Sequence, residues 1–108
     1  MGIKQTCDSE EADLERMTQL FKTLGDPSRV RILFQIFTSE ACINEIARKL
    51  NMSEPAVSHH MRILKMNGLV RWHRSGKNIL YELDDEHVRS IISQGMEHTK
   101  ELQHKSKT

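Results

Sequence analysis

Only once along this chain does a helical period give way to a strand period, and that single change narrows the fold more than any other feature. Leu69-Val70-Arg71-Trp72-His73-Arg74 and Asn78-Ile79-Leu80-Tyr81-Glu82-Leu83 are strand-like, with Ser75-Gly76-Lys77 as the turn between them. Two strands make one β-hairpin. A lone hairpin cannot build a sheet core, so it must pack on helices or reach outward from them.

The rest reads as helix. Over residues 10–24, Leu14, Met17, Leu20, Phe21 and Leu24 keep helical spacing, and Gly25 stops the run. Asp26-Pro27 opens a second helix, with Asp as N-cap and Pro in the first position. It reaches about Thr38. Its apolar set (Val30, Ile32, Leu33, Ile36, Phe37) is wide enough for burial on most sides. A short third helix over 42–50 turns Ile43, Ile46, Ala47 and Leu50 inward. After the Asn51-Met52 turn, Ser53 caps a fourth helix with Pro55 in its first turn and Val57, Met61 and Leu64 inward. Asp84 or Asp85 caps the last helix, which runs to about His104 through Val88, Ile91, Ile92, Met96 and Leu102. Residues 1–9 read as a loose tail and 105–108 as a frayed end, leaving one domain over 10–104.

A chain of 108 residues suits a single core. With 37% hydrophobic and 29% charged residues, it gains by burying more apolar surface in an oligomer. Cys7 and Cys42 make no disulfide framework. No apolar run approaches the roughly 18 residues of a membrane span. The opening MGIKQTCDSEE lacks the apolar stretch of a signal peptide. The expectation is a soluble, cytoplasmic protein with no membrane partner.

Net charge is only +1, so the distribution matters more than the total. Residues 8–15 hold five acids and no base. Residues 59–77 hold Arg62, Lys65, Arg71, Arg74 and Lys77, three histidines and no acid. A local basic stretch is an electrostatic footprint for nucleic acid. Helices three and four, joined by a short turn, suit a helix-turn-helix. Geometry alone favours an ordinary helical hairpin; the side chains shift the balance. Ser53, Ser58, His59 and Arg62 point outward from helix four, and hydroxyl, imidazole and guanidinium groups suit base edges and phosphates. Arg74 and Lys77 near the hairpin tip suit a wing that holds the DNA backbone. The expected fold is mostly α: a winged helix-turn-helix of four helices, one β-hairpin wing and a C-terminal dimerisation helix.

Three motifs then carry a resemblance. Leu24-Gly25-Asp26-Pro27-Ser28-Arg29-Val30-Arg31-Ile32-Leu33 resembles the L-(A/G)-(D/N)-P-x-R-(L/V)-x-I-L signature of the ArsR/SmtB metal-sensing repressors. Ser53 through Leu64 is similar as well, as is Gly68-Leu69-Val70 through Arg74-Ser75-Gly76-Lys77 to Tyr81. The resemblance covers residues 10–104. It implies a homodimer on palindromic double-stranded operator DNA, released when an inducer binds.

The last helix carries Asp85, His87, His98 and Glu101. His87 and His98 are 11 residues apart, close to three turns, so they face one way but stand roughly 16 Å apart. One straight helix cannot bring both to a metal whose Zn–N bonds are about 2.0–2.1 Å. Antiparallel pairing with a twofold mate removes the difficulty. Asp85 and His87 of one chain then meet His98 and Glu101 of the other, and each dimer gains two sites for Zn(II). The arrangement matches the D-x-H…H-x-x-E/H zinc site of the resembled family. Asp85 and His87, two apart, would diverge inside a helix, so Asp85 is expected at the strand-to-helix junction. The second ring nitrogen of His98 is expected to donate to a carbonyl near the end of helix four. A further family site on helix three is kept only in part: Cys42 stands at one thiol position and Asn44 at the other, with Cys7 and Glu45 as additional candidate ligands.

Other readings remain at this point. One alternative gives the same fold to sensing of Ni²⁺ or Co²⁺, or of a thiol-directed inducer acting through Cys7 and Cys42. A helical interaction module without a DNA target is another class. An enzyme is disfavoured, because the sequence shows no nucleophile–base pair or phosphate loop.

Overall fold

The computed structural model describes the backbone of residues 2–106 and the side chains of residues 9–104. Five helices and one hairpin follow in order: α1 Gly2–Leu24, α2 Pro27–Thr38, α3 Ile43–Leu50, α4 Glu54–Met66, β1 Val70–Ser75, β2 Asn78–Leu83 and α5 Glu86–Ser106. This is the expected winged helix-turn-helix order. The helix expected over 10–24 extends back to Gly2, where a loose tail was anticipated. No proline interrupts that segment, and Lys4, Gln5 and Glu10 are ordinary helix formers.

Local signals account for the boundaries. Asp26 accepts the Arg29 N–H at 3.0 Å, and Pro27 opens α2 without losing a hydrogen bond. The Arg29 guanidinium reaches back to the Thr23 carbonyl at the end of α1, and its Nε donates to His60 Nδ1 of α4 at 3.4 Å. One arginine therefore ties three helices together. Asn51 ends α3 with φ 55°, a left-handed conformation that asparagine tolerates. Ser53 Oγ then accepts the Ala56 N–H at 3.2 Å to start α4. The strands pair from Val70↔Leu83 to Ser75↔Asn78 around a two-residue loop. Gly76 supplies the positive φ (63°) that the first position of a type II′ turn requires.

The core joins Ile32, Leu33 and Ile36 of α2, Ile46 and Ala47 of α3, and Val57, Met61 and Leu64 of α4. Leu69, Val70, Leu83 and Val88 close it from the hairpin and the head of α5. The wing is also anchored by a single bridge, in which Ala41 and Tyr81 exchange both backbone hydrogen bonds. The apolar stripe of α1 remains largely uncovered: Leu14, Met17 and Phe21 are 53%, 49% and 60% exposed. The broad apolar surface of α2 is also not buried on most sides, since Val30 and Phe34 are open. Long outer helices explain a radius of gyration of 16.8 Å, against about 13 Å for a compact chain of this length.

Candidate functional site

Burying Val57, Met61 and Leu64 fixes which way α4 faces. The opposite side, carrying His59, Arg62 and Lys65, is exposed, and Ser58 is half-buried beside it. Ser53 stands exposed at the N-terminus of this helix, with its hydroxyl oxygen occupied in capping. The two neighbouring histidines meet edge to face, with ring centres 5.6 Å apart, but differ in their other surroundings. His59 points to solvent, whereas His60 turns toward Arg29 and lies 4.0 Å from Asp26. Asp26 is held below the usual carboxylate range, chiefly by the backbone N–H of Arg29.

Arg74 and Lys77 are exposed on the hairpin. Arg71 is not equivalent to them, because its Nε lies 2.8 Å from Glu82 on the paired strand. Trp72 was not singled out in the sequence. Lys65 Nζ stands 5.2 Å from the centre of its ring, joining the end of α4 to the hairpin by a cation–π contact. Helix α4 and the hairpin thus present one set of basic and hydroxyl groups, with the hairpin held against the helix. Cations of this kind are chemically suited to phosphates, and hydroxyl, imidazole and guanidinium groups to base edges.

At the head of α5, Asp85 occupies the strand-to-helix junction. Its Oδ1 accepts the Val88 N–H at 3.0 Å, and this hydrogen bond is the main cause of its lowered pKa. Its Oδ2 lies 3.5 Å from His87 Nδ1. These two residues are therefore brought together outside the helical geometry that would separate them. His98 and Glu101 lie exposed further along the same helix, one turn apart. One carboxylate and one imidazole converge at one end of α5, and another such pair stands toward the other. Nitrogen and carboxylate donors of this kind fit zinc. Arg89, between the two pairs, donates to the Phe37 carbonyl at 3.0 Å and stacks over the Phe37 ring, fastening α5 to the end of α2.

On α3, Cys42 and Glu45 do meet. The Cys42 backbone N–H donates to Glu45 Oε1 at 3.4 Å, and the thiol sulfur lies 3.0 Å from the same oxygen. The thiol contact leads the causes of Glu45's lowered pKa. The pair is thereby engaged as the N-terminal cap of α3. The side chain of Cys7 lies outside the described residues. A group absent from the sequence expectations also appears at the base of the hairpin, where His73 Nε2 is 2.8 Å from Glu40 Oε2. This contact raises the His73 pKa. Nothing in the local sequence marked Glu40, because its approach depends on the Ala41–Tyr81 bridge.

Among the described residues, no helix is long and apolar enough to cross a membrane. Residues 26–71 match the model of the bacterial regulatory protein arsR family. The chain is 37% identical over 87 residues to a transcriptional repressor SmtB homolog of Synechocystis, covering 81% of this chain and 66% of that protein. It is 33% identical to a cadmium resistance transcriptional regulatory protein CadC homolog of Staphylococcus aureus, covering 80% of this chain and 72% of the other. The chain thus spans about two thirds of the length of these relatives. A homodimeric winged helix-turn-helix DNA-binding domain from Mycobacterium bovis superposes with a TM-score of 0.85 at 26% identity, over 90% of this chain and 91% of that one. These relatives are transcriptional regulators, not enzymes. With a capped α4, a basic hairpin fastened beside it and relatives of this similarity, the chain belongs to the ArsR family of winged helix-turn-helix transcriptional regulators.

Proposed function

We propose that the chain is a metal-responsive transcriptional repressor that binds a palindromic operator as a homodimer and leaves it when Zn(II) binds between the C-terminal helices. The convergence of Asp85 and His87 at the head of α5, with His98 and Glu101 further along the same helix, carries this reading. Asp85 and His87 of one chain would hold the ion together with His98 and Glu101 of its mate, giving two sites per dimer. Two imidazole nitrogens and two carboxylates would hold the ion, whose positive charge would offset the two carboxylates and fasten the two α5 helices to each other.

Dimerisation is supported by apolar surface the single chain leaves open. A groove of about 600 Å³ between α2 and α5 is lined by Val30, Phe34, Ile91, Ile92 and Met96 among others. The solved relative from Mycobacterium bovis is homodimeric. In the antiparallel pair, residues near Ile92 and Ser93 lie over their own copies. Two copies of α4 enter successive major grooves about one DNA turn apart. Ser53, Ser58, His59 and Arg62 meet the groove, and Arg74 and Lys77 hold the backbone. Fixing the two α5 helices by their ends changes the spacing of the α4 pair. The second ring nitrogen of His98, donating to a carbonyl near the end of α4, passes that change to the reading helix. The coupling is reciprocal, so operator DNA weakens metal binding by the factor by which metal weakens DNA binding.

Mixing two variants tests the shared site. His87→Ala and His98→Ala homodimers each carry two damaged sites. A mixed pair carries one site with both lesions and one intact site. Tight Zn²⁺ binding should therefore reappear on mixing and subunit exchange. Binding that stays absent in the mixture, or that is already intact in either variant alone, contradicts a site shared across the dimer.

A further inference from the structure

The fold assembles a second group of metal-ligating side chains that owes nothing to α5 and lies within one chain. Ala41 and Tyr81 form an isolated antiparallel bridge, so the residues before α3 lie beside β2 at this point. In that register Glu40 stands across from Glu82. Glu82 in turn pairs with Arg71 on β1. His73 follows Arg71 by two residues and so shares its face of the hairpin. Glu40, Glu82 and His73 therefore converge from three segments onto one face. His73 Nε2 and Glu40 Oε2 are 2.8 Å apart, and one ligand atom from each of the three residues lies within 4.8 Å of the others.

Two facing carboxylates repel each other unless a cation stands between them. Here the Arg71 guanidinium takes one side of Glu82, while His73 takes Glu40. Both contacts are exposed and of the kind that contributes little to stability. A tetrahedral zinc ion with bonds of about 2.1 Å holds its ligands about 3.4 Å apart. The three side chains need move their donor atoms by little more than 1 Å to meet that spacing, which the exposed Glu40 and His73 achieve by small rotations toward the half-buried Glu82.

We infer that Glu40, His73 and Glu82 form a divalent transition-metal site at the base of the wing, with one nitrogen and two carboxylate ligands and its remaining positions open to water. The donor set suits borderline ions such as Zn²⁺ rather than soft thiophilic ones. Its location gives it a physical consequence. An ion there joins the α2–α3 connection to both strands of the hairpin, so the stance of the wing becomes linked to metal.

The test uses the full chain carrying His98→Ala and Glu101→Ala, which removes two of the four proposed ligands from each α5 site and leaves the wing untouched. Zn²⁺ binding is measured by competition with a chromophoric chelator. Adding His73→Gln should cost one bound Zn²⁺ per chain, and Glu40→Gln should do the same. Adding Arg71→Gln instead should tighten binding several-fold, because it frees Glu82 from a competing cation. A merely structural ion pair predicts no such gain. Circular dichroism confirms that these exposed substitutions keep the fold. Equal Zn²⁺ uptake with and without His73→Gln, or Arg71→Gln that leaves affinity unchanged or weaker, overturns the site. The α5 reading depends on a different comparison, wild type against the His98→Ala/Glu101→Ala chain, so either site can fail alone.

Discussion

Phe21→Ala should separate the folding of one chain from its pairing with another. Phe21 is 60% exposed on α1, on the same stripe as Leu14 and Met17. A phenylalanine presents about 200 Å², so roughly 120 Å² remains for a partner to cover. At about 25 cal/mol per Å², that is about 3 kcal/mol per copy and about 6 kcal/mol per dimer. Incomplete coverage and the ordering of interface side chains remove about half. The remaining 3 kcal/mol is about a hundredfold in the dimer dissociation constant. The isolated chain should be nearly indifferent, because most of the ring already faces solvent. Sedimentation equilibrium of wild type and variant reads the dissociation constant, with circular dichroism as the check on fold. A dissociation constant within threefold of wild type would show that the α1 stripe is not an interface. A variant that loses its helices would show that Phe21 serves the monomer core.

Three further outcomes follow from local geometry. Asp26→Ala removes the cap of α2 and should cost about 1 kcal/mol at neutral pH by urea unfolding. Because the folded state lowers the Asp26 pKa from 3.8, its charge-dependent contribution is fully present above that value and is lost as pH falls through the lower folded one. The gap between wild type and variant should narrow only in acid, and a gap that is flat down to pH 2 would refute the assignment. Lys77→Ala should weaken binding to all DNA sequences alike and reduce the salt slope of log K by about 1, measured by anisotropy over a salt series. Gly76→Ala meets no atom within 4 Å but must adopt φ 63°, a backbone cost of about 1 kcal/mol that should appear as a lower Tm.

Much of this architecture is legible in the sequence because its signals are local. Val57, Met61 and Leu64 repeat at helical spacing, and all three are buried. Asp26, Ser53 and Gly76 announce two helix starts and a turn by residue type alone. Periodicity also shows that α1 and α5 each have an apolar face. It does not show what covers that face, so Leu14, Met17 and Phe21 have the pattern of a core without its burial. The junction position of Asp85 is legible for a geometric reason, since side chains two residues apart diverge inside a helix and meet only where one of them lies outside it. The Glu40–His73 contact was not readable. It rests on a single-residue bridge, which has no period, and on residues 33 positions apart. Cys42 and Glu45, three positions apart in the sequence, do meet in the fold, at the N-terminal end of α3.

The metal-response reading is tested most directly on a preformed complex with operator DNA, titrated with Zn²⁺ and followed by fluorescence anisotropy. Wild type should release the DNA as Zn²⁺ is added and rebind it when a chelator is supplied. His98→Ala should bind the same DNA and keep it across the same titration. Equal release by the two proteins would contradict a switch built on the α5 ligands.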